Sequence, residues 1–223
     1  NSAAVLQDGR IIGIYNKHHL PNYSVFDEYR IFRPGTDALV VHVAGADVAL
    51  AICEDIWREG GAVSAIAEVN PSLLLVINGS PFEREKDEVR LPLVKRRAEQ
   101  VNAPAVYLNL VGGQDDLVFD GGSLAANADG QLMLDAPRFK SQLSLLKFDT
   151  AQQFLPQSLA PEMPATEETY RALVMGLRDY VNHSGFKGVI LGLSGGIDSA
   201  LSLTIAVDAL GADRVRAVMM PYT

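Results

Sequence analysis

The chain has 223 residues, 48% of them hydrophobic and 21% charged, with a formal net charge of −8. That apolar share can build a buried core and excludes a mainly disordered chain, while the acidic balance argues against a nucleic-acid backbone or an anionic membrane as the main partner. No apolar run approaches the ~18 residues of a membrane span; residues 1–4 show no basic-then-apolar signal pattern; a lone cysteine builds no disulfide framework and suits a reducing, cytoplasmic setting.

In chain order, Val-, Ile- and Leu-rich runs predict strands over 38–43 and 48–53. Residues 73–78 read as a buried strand, followed by a charged helix over 83–101 that Pro92 kinks or divides. A strand is expected over 105–110, with the pairs Gly112-Gly113 and Gly121-Gly122 marking turns around it. Asp129-Gly130 signals a hairpin between 122–127 and 131–134, and 143–148 closes the series as a further strand. The segment 150–166, with Pro156, Pro161 and Pro164, reads as a linker. Beyond it come a helix over 167–182 with Thr166 as N-cap and Glu167 and Glu168 in its first turn, a strand over 188–193, a Gly-rich turn, a helix over 198–210 and a strand over 214–220. Strand, helix, strand in that order implies a parallel sheet. The expected organisation is a first domain over 1–149, a linker over 150–166 and a second domain begun at 167–223. Starting at Asn1 and stopping at Thr223 just after a strand, the sequence has the look of an excerpt.

Two segments carry the chemistry. In Ser194-Gly195-Gly196-Ile197-Asp198-Ser199, between strand and helix, the glycines let backbone N–H groups turn towards a ligand, and the helix start adds unpaired donors. The serines can donate to phosphate oxygens. No lysine follows, so this is not a Walker A loop. By spacing alone the segment is either a phosphate loop or a glycine turn without ligand, and Asp198 either a cation ligand or a helix cap. The second segment centres on Cys53, at a strand end and followed at once by Glu54-Asp55. A lone cysteine on an apolar strand is commonly an inert buried thiol, whereas a strand end is where active sites of layered sheets gather. A nucleophilic thiol needs a nearby cation. Lys17 is a candidate, although alone it reads as a solvated surface charge. His18 and His19 read as a surface turn, His42 and His183 as structural residues. The mixed charges of 83–97 read as a solvated helix face from which Arg84, Lys86, Arg90 or Arg97 could reach a ligand carboxylate.

Ser194 to Ser199 resemble the signature of the N-type ATP pyrophosphatases. The resemblance implies that Ser194, Gly195, Gly196, Ile197, Asp198 and Ser199 bind ATP, with Asp198 helping to hold Mg²⁺, and that no redox cofactor is needed. Lys17-x-x-Leu20-Pro21 and Cys53-Glu54-Asp55 resemble the lysine and nucleophile motifs of the nitrilase superfamily. Similarity continues through Val25 to Arg30, which supplies Glu28, through Asn78-Gly79-Ser80-Pro81-Phe82, and through Val111 to Asp115. The two resemblances in this order are those of the glutamine-dependent NAD synthetase family. They imply a four-layer α-β-β-α sandwich followed by a Rossmann-like parallel α/β domain, both incomplete. They also imply Cys53 as the nucleophile towards glutamine, Lys17 as oxyanion stabiliser, Glu28 as the carboxylate that orients Lys17 or the base, and Tyr23, Glu54 and Ser80 as the groups holding the backbone end of glutamine. Substrates would be glutamine, ATP and deamido-NAD, in a homo-oligomer. The family's general-base glutamate is expected upstream of Asn1, so that these 223 residues alone would be a weak or dead glutaminase. Contacts to deamido-NAD are expected beyond Thr223 or on a partner. Rival readings are an amidotransferase of the same layout with another acceptor, a stand-alone carbon–nitrogen hydrolase, and a catalytically silent glutamine- or nucleotide-binding subunit.

Overall fold

The computed structural model describes residues 1–149, 152–157 and 159–220. The chain opens with a hairpin, β1 (Ser2–Gln7) and β2 (Arg10–Asn16). Its two-residue turn is Asp8-Gly9, both at positive φ (50° and 74°), as a twisted antiparallel ribbon requires. The strand reading above missed this hairpin although its Asp-Gly signal is in the sequence. The central sheet is six-stranded, in the order β10 (Leu132–Asp135), β9 (Leu124–Ala126), β6 (Ala105–Asn109), β5 (Leu73–Asn78), β4 (Ala46–Ile52), β3 (Val40–Val43). Strands β4, β5 and β6 run parallel, with Ile52 opposite Ile77 and Asn78 opposite Asn109. Their C-terminal ends therefore emerge on one edge.

Strand β4 is covered on both faces, which is why it reads as a continuous apolar run rather than an alternating one; on the second face Ile77 of β5 and Leu108 of β6 stay about half exposed. On one face Ala49, Ala51, Leu74, Val76 and Tyr107 pack against Val63 and Ile66 of α1 (Gly61–Glu68) and Leu93, Val94, Ala98 and Val101 of α2 (Asp87–Val101). Alanines on the strand side bring the helices close. On the other face Leu50 and Ile52 meet Ala3 and Tyr15 of the hairpin, with Leu75 packed alongside. Helix, sheet and facing sheet are thus three of the four expected layers, and the described residues supply no second helical layer. Helix α1 was not foreseen: eight residues after Gly60 make too short a periodic run to recognise.

Several expectations need correction. Helix α2 runs through Pro92 without dividing. Gly112 and Gly113 lie within β7 (Val111–Gln114), not in a turn, and the turn to β8 (Leu117–Asp120) falls at Asp115-Asp116. Residues 143–148 form no strand; only Phe148 bridges Phe154. Helix α3 (Ala165–His183) takes Pro164, not Thr166, as N-cap, whose extended backbone carbonyl accepts from the amides of Glu167 and Glu168. Proline is suited there, because a cap residue donates nothing to the helix. The linker's residues 150, 151 and 158 lie outside the described residues.

Helix α3 packs on β7 and β8 as well as on α4 (Ile197–Leu210). The packing explains the glycines: a Cβ on Gly113 would stand 3.1 Å from Gly176 Cα, and the Gly113 amide donates to Asp179 Oδ2 at 2.7 Å. Beyond α3, β11 (Val189–Leu193), α4 and β12 (Val215–Met219) form the expected unit, with the two strands parallel and in register. No helix among the described residues is long and apolar enough to cross a membrane.

Candidate active site and phosphate loop

Cys53 follows β4 directly and opens a 3-10 turn, Cys53–Ile56, with its own φ at 45°. A left-handed backbone at a residue carrying a side chain costs on the order of 1 kcal/mol or more. It persists because Asp55, wholly buried, ties the turn down. Asp55 Oδ2 accepts from the Ile52 amide (3.1 Å) and the Tyr15 hydroxyl (2.7 Å), and Oδ1 from the amides of His18 and His19 (3.0 and 2.8 Å). One carboxylate thus joins the Cys53 turn to the segment that carries Lys17. Asp55 was quoted above only as part of a motif, and its role is a finding of the structure. The signal available in the sequence was the second carboxylate of Cys53-Glu54-Asp55, next to a residue expected to bind substrate.

Lys17 is not the solvated charge that its isolated reading suggests: only 1% of it is exposed. Its ammonium donates to Glu28 Oε1 at 2.8 Å, and Glu28 Oε2 accepts from Asn1 Nδ2 at 3.0 Å. The backbone of Lys17 is pinned on both sides, its amide donating to the Asn1 carbonyl and its carbonyl accepting from Gly35. Burial pushes the Cys53 thiol pKa up; the nearby Lys17 ammonium and the Gly79 amide pull it down, while the charges of Glu54 and Glu28 add to the rise. Cys53, Lys17 and Glu28 are therefore one electrostatic unit.

Glu54, buried, accepts from the Tyr23 hydroxyl on Oε2 (2.7 Å) and from Arg58 Nε on Oε1 (2.8 Å). Burial and the hydrogen bond to Glu54 hold the half-exposed Tyr23 phenol at a pKa of about 12, so it stays a neutral donor. The Arg58 guanidinium lies 5.9 Å from the centroid of the Tyr23 ring. A cleft beside this group is lined by His18, His19, Leu20, Glu54 and Arg58. Ser80, after β5, is buried too, and its hydroxyl accepts from Arg90 Nη2 at 3.3 Å. Arg90 and Arg97, read above as part of a solvated face, are among the most buried side chains. Arg97 donates to the carbonyls of Ile56 (2.6 Å) and Arg58 (2.9 Å), bracing the turn after Cys53.

The second group is different in kind. Gly196 caps α4 in extended conformation after Gly195, whose φ is +88°. The Ser194 and Ser199 hydroxyls lie 3.3 Å apart, and Ser199 Oγ donates to the Gly196 carbonyl at 2.9 Å. Asp198 is the second residue of α4, not its cap. No group of three or more potential metal ligands occurs among the described residues. The loop offers bare N–H donors and a single exposed carboxylate, which suits a phosphate chain arriving with its own cation.

Comparison with known proteins fits this division. Residues 169–223 match the NAD synthase family model. The chain is 52% identical, over its whole length, to a glutamine-dependent NAD(+) synthetase of Acinetobacter baylyi, of which it covers 41%. It superposes over its whole length, with a TM-score of 0.95 and 50% identity, on 42% of the glutamine-dependent NAD+ synthetase of Acinetobacter baumannii solved with ADP. A more distant likeness, TM-score 0.51 and 26% identity over 58% of this chain and 47% of the other, is to an amidase variant from Nesterenkonia sp. AN1 carrying the acetamide moiety of fluoroacetamide on its active-site cysteine. The chain spans about two fifths of the curated relatives it matches. Residues 1–153 match the carbon-nitrogen hydrolase family model, and with more than half of its length so matched the chain belongs to that family.

Proposed function

We propose that the protein containing this chain is a glutamine-hydrolysing NAD synthetase. It would release ammonia from glutamine at Cys53 and use it, with ATP, to convert the nicotinate carboxylate of deamido-NAD into the amide of NAD. The observation that carries this reading is the presence, in one chain, of the Cys53–Lys17–Glu28 unit and of the Ser194–Ser199 loop at the start of α4. Each alone could serve another chemistry. Together they supply the two things amide synthesis needs, a neutral nitrogen nucleophile and an activated carboxyl.

At the first site the Cys53 sulfur attacks the side-chain carboxamide carbon of glutamine. The C–N bond breaks, the thiol proton leaves with the nitrogen as ammonia, and a thioester remains. Water then cleaves the thioester to glutamate and restores the thiol. Lys17, fixed by Glu28, presents positive charge where the tetrahedral oxyanion develops. Glu54, oriented by Tyr23 and Arg58, pairs with the substrate's α-ammonium, and Ser80 supports the same end. The amidase whose active-site cysteine carries the acetamide moiety of fluoroacetamide supports a nucleophilic thiol as the reading of Cys53.

At the second site Ser194, Gly195, Gly196, Ile197, Asp198 and Ser199 would hold the phosphates of ATP. The relative solved with ADP supports an adenine nucleotide as a ligand of the protein containing this chain. Mg²⁺ would neutralise phosphate charge beside Asp198. The domains would be 1–149 and 167–223 with a linker at 150–166, in a cytoplasmic homo-oligomer.

The test is NAD formation from deamido-NAD, ATP and Mg²⁺ by the full-length protein and its Cys53→Ala variant, each supplied with glutamine or with ammonium. The variant should lose the glutamine-driven reaction and keep the ammonium-driven one. A parent that hydrolyses glutamine but makes no NAD from either nitrogen source overturns the acceptor. Equal activity of both proteins with glutamine overturns Cys53 as the nucleophile.

A further inference from the structure

Helix α2 carries two fully buried arginines, Arg90 and Arg97, seven residues apart and so two turns apart on one face. The fork of Arg90 grips Asp120, at the end of β8, through Nη1 to Oδ2 at 2.7 Å and Nη2 to Oδ1 at 3.0 Å. The same Nη2 donates to the carbonyls of Ser80 (3.0 Å) and Pro81 (3.3 Å) and to the Ser80 hydroxyl (3.3 Å). Asn109, at the end of β6, holds the turn from the other side. Its Oδ1 accepts from the Ser80 amide at 3.0 Å, and its Nδ2 donates to the carbonyls of Ser80 (3.2 Å) and Gly121 (3.0 Å). The amide, the carbonyl and the hydroxyl oxygen of Ser80 thus each take part in a bond to a residue fixed in the core. Parallel register places this turn beside Cys53, because Ile52, the last residue of β4, faces Ile77, and β5 ends one residue later at Asn78.

Stability alone does not call for the pair, since a buried arginine–carboxylate pair is often no more stabilising than apolar residues of the same volume. What the pair does that apolar residues cannot is fix the backbone of the turn by name. Resting on the glutaminase reading above, we propose that Arg90, paired with Asp120, is a positioning residue of the cysteine site, holding the Gly79–Ser80 turn in place against Cys53. The Gly79 amide, one of the two groups that pull the thiol pKa down, is what such a brace would keep in range.

The experiment uses the full-length protein, Arg90→Lys, and the double variant Arg90→Met with Asp120→Leu, which removes both charges and is expected to fold. Three quantities are read: kcat and KM for glutamine hydrolysis, the pH dependence of Cys53 alkylation by iodoacetamide, and ammonium-driven NAD formation. Loss of sub-ångström placement predicts a fall in hydrolytic kcat of about 10- to 100-fold in both variants. The alkylation profile should move to higher pH, and ammonium-driven synthesis should stay within about twofold, which a merely structural lesion would not spare. Parent-like kcat in the double variant overturns the inference, and so does a fall of both activities in equal measure. A parent that neither hydrolyses glutamine nor is alkylated at Cys53 overturns the glutaminase reading itself, and the inference with it.

Discussion

The Cys53 site and the Ser194–Ser199 loop both sit where a parallel strand gives way to a helical turn, yet they are built on opposite plans. Around Cys53 the working groups are buried and bonded to one another: Lys17 to Glu28, Glu54 to Tyr23 and Arg58, Asp55 to four donors from three segments. Around Ser194 the chain is open to solvent, Ile197 is 80% exposed, and the serines bond to each other or to the loop's own backbone. Thiol chemistry on an amide creates charge from a neutral ground state, so the compensating groups must be fixed beforehand in a poorly hydrated place. A polyphosphate brings its charge with it and asks only for backbone donors at a helix start. Rigidity is spent where charge develops, not where charge is delivered.

The largest expected effect breaks the first plan at its cation. In Lys17→Met, hydrolysis of glutamine should lose about 10²- to 10³-fold in kcat, the usual range for removing one oxyanion donor. The sign of the accompanying titration is fixed. Lys17 pulls the Cys53 thiol down, so its removal leaves burial less opposed and raises the thiol further. Less thiolate is then present at any neutral pH, and the iodoacetamide pH–rate curve should move to higher pH. Ammonium-driven synthesis, measured on the same preparation, should be unchanged. A curve that stays in place removes Lys17 from the thiol's environment.

Next in size is Asp55→Ala, which strands four donors at once in the core. Leaving buried groups unsatisfied costs about 1–3 kcal/mol each where water cannot enter, so a loss of several kcal/mol in chemical denaturation of the carbon–nitrogen hydrolase part is expected. If stability holds while hydrolysis collapses, Asp55 positions the two segments without supporting the fold. Gly195→Val at the open loop should show the contrast. A β-branched residue at φ +88° is strained, but nothing packs there. The expected result is a rise of about tenfold in KM for ATP, equivalent to ~1.4 kcal/mol, with glutamine hydrolysis and thermal stability left alone.

The same contrast governs what could be read from sequence. Strand β5 and helix α4 were legible because their apolar runs end in Gly, Ser or Asn signals. The loop at 194–199 was legible because its chemistry lies in contiguous backbone. The cysteine site was only half legible. Lys17 by itself reads as surface, since nothing local tells that residues 35 and 55 close over it. Arg90 and Arg97 sit in a run of alternating charges whose mean composition describes a solvated helix, and only Asp120 and the carbonyls of residues 56, 58, 80 and 81 reveal that this face turns inward. Long-range polar pairing leaves no periodicity. The Gly112-Gly113 pair shows the same limit: glycine serves a turn and a close helix crossing alike, and here it admits α3.

The smallest predicted effect is the most selective. The Tyr23 phenol, with a pKa of about 12, remains protonated throughout the working range and donates to Glu54 Oε2 at 2.7 Å. Phe at this position removes one of the two groups that orient Glu54 and leaves Arg58 on Oε1. Hydrogen bonds to charged groups contribute about 1.5–3 kcal/mol when sealed from water. Tyr23 is half exposed, so water can replace the lost donor and a smaller effect is expected, a rise in KM for glutamine of about three- to tenfold. With Tyr23 assigned, as proposed, to the backbone end of glutamine and not to the reacting carbon, kcat should hold. Steady-state hydrolysis by Tyr23→Phe decides the matter. A fall in kcat at unchanged KM would move Tyr23 from the recognition of glutamine to the chemistry at Cys53, and would show that the pre-bonded half of the molecule is coupled more tightly than its hydrogen bonds imply.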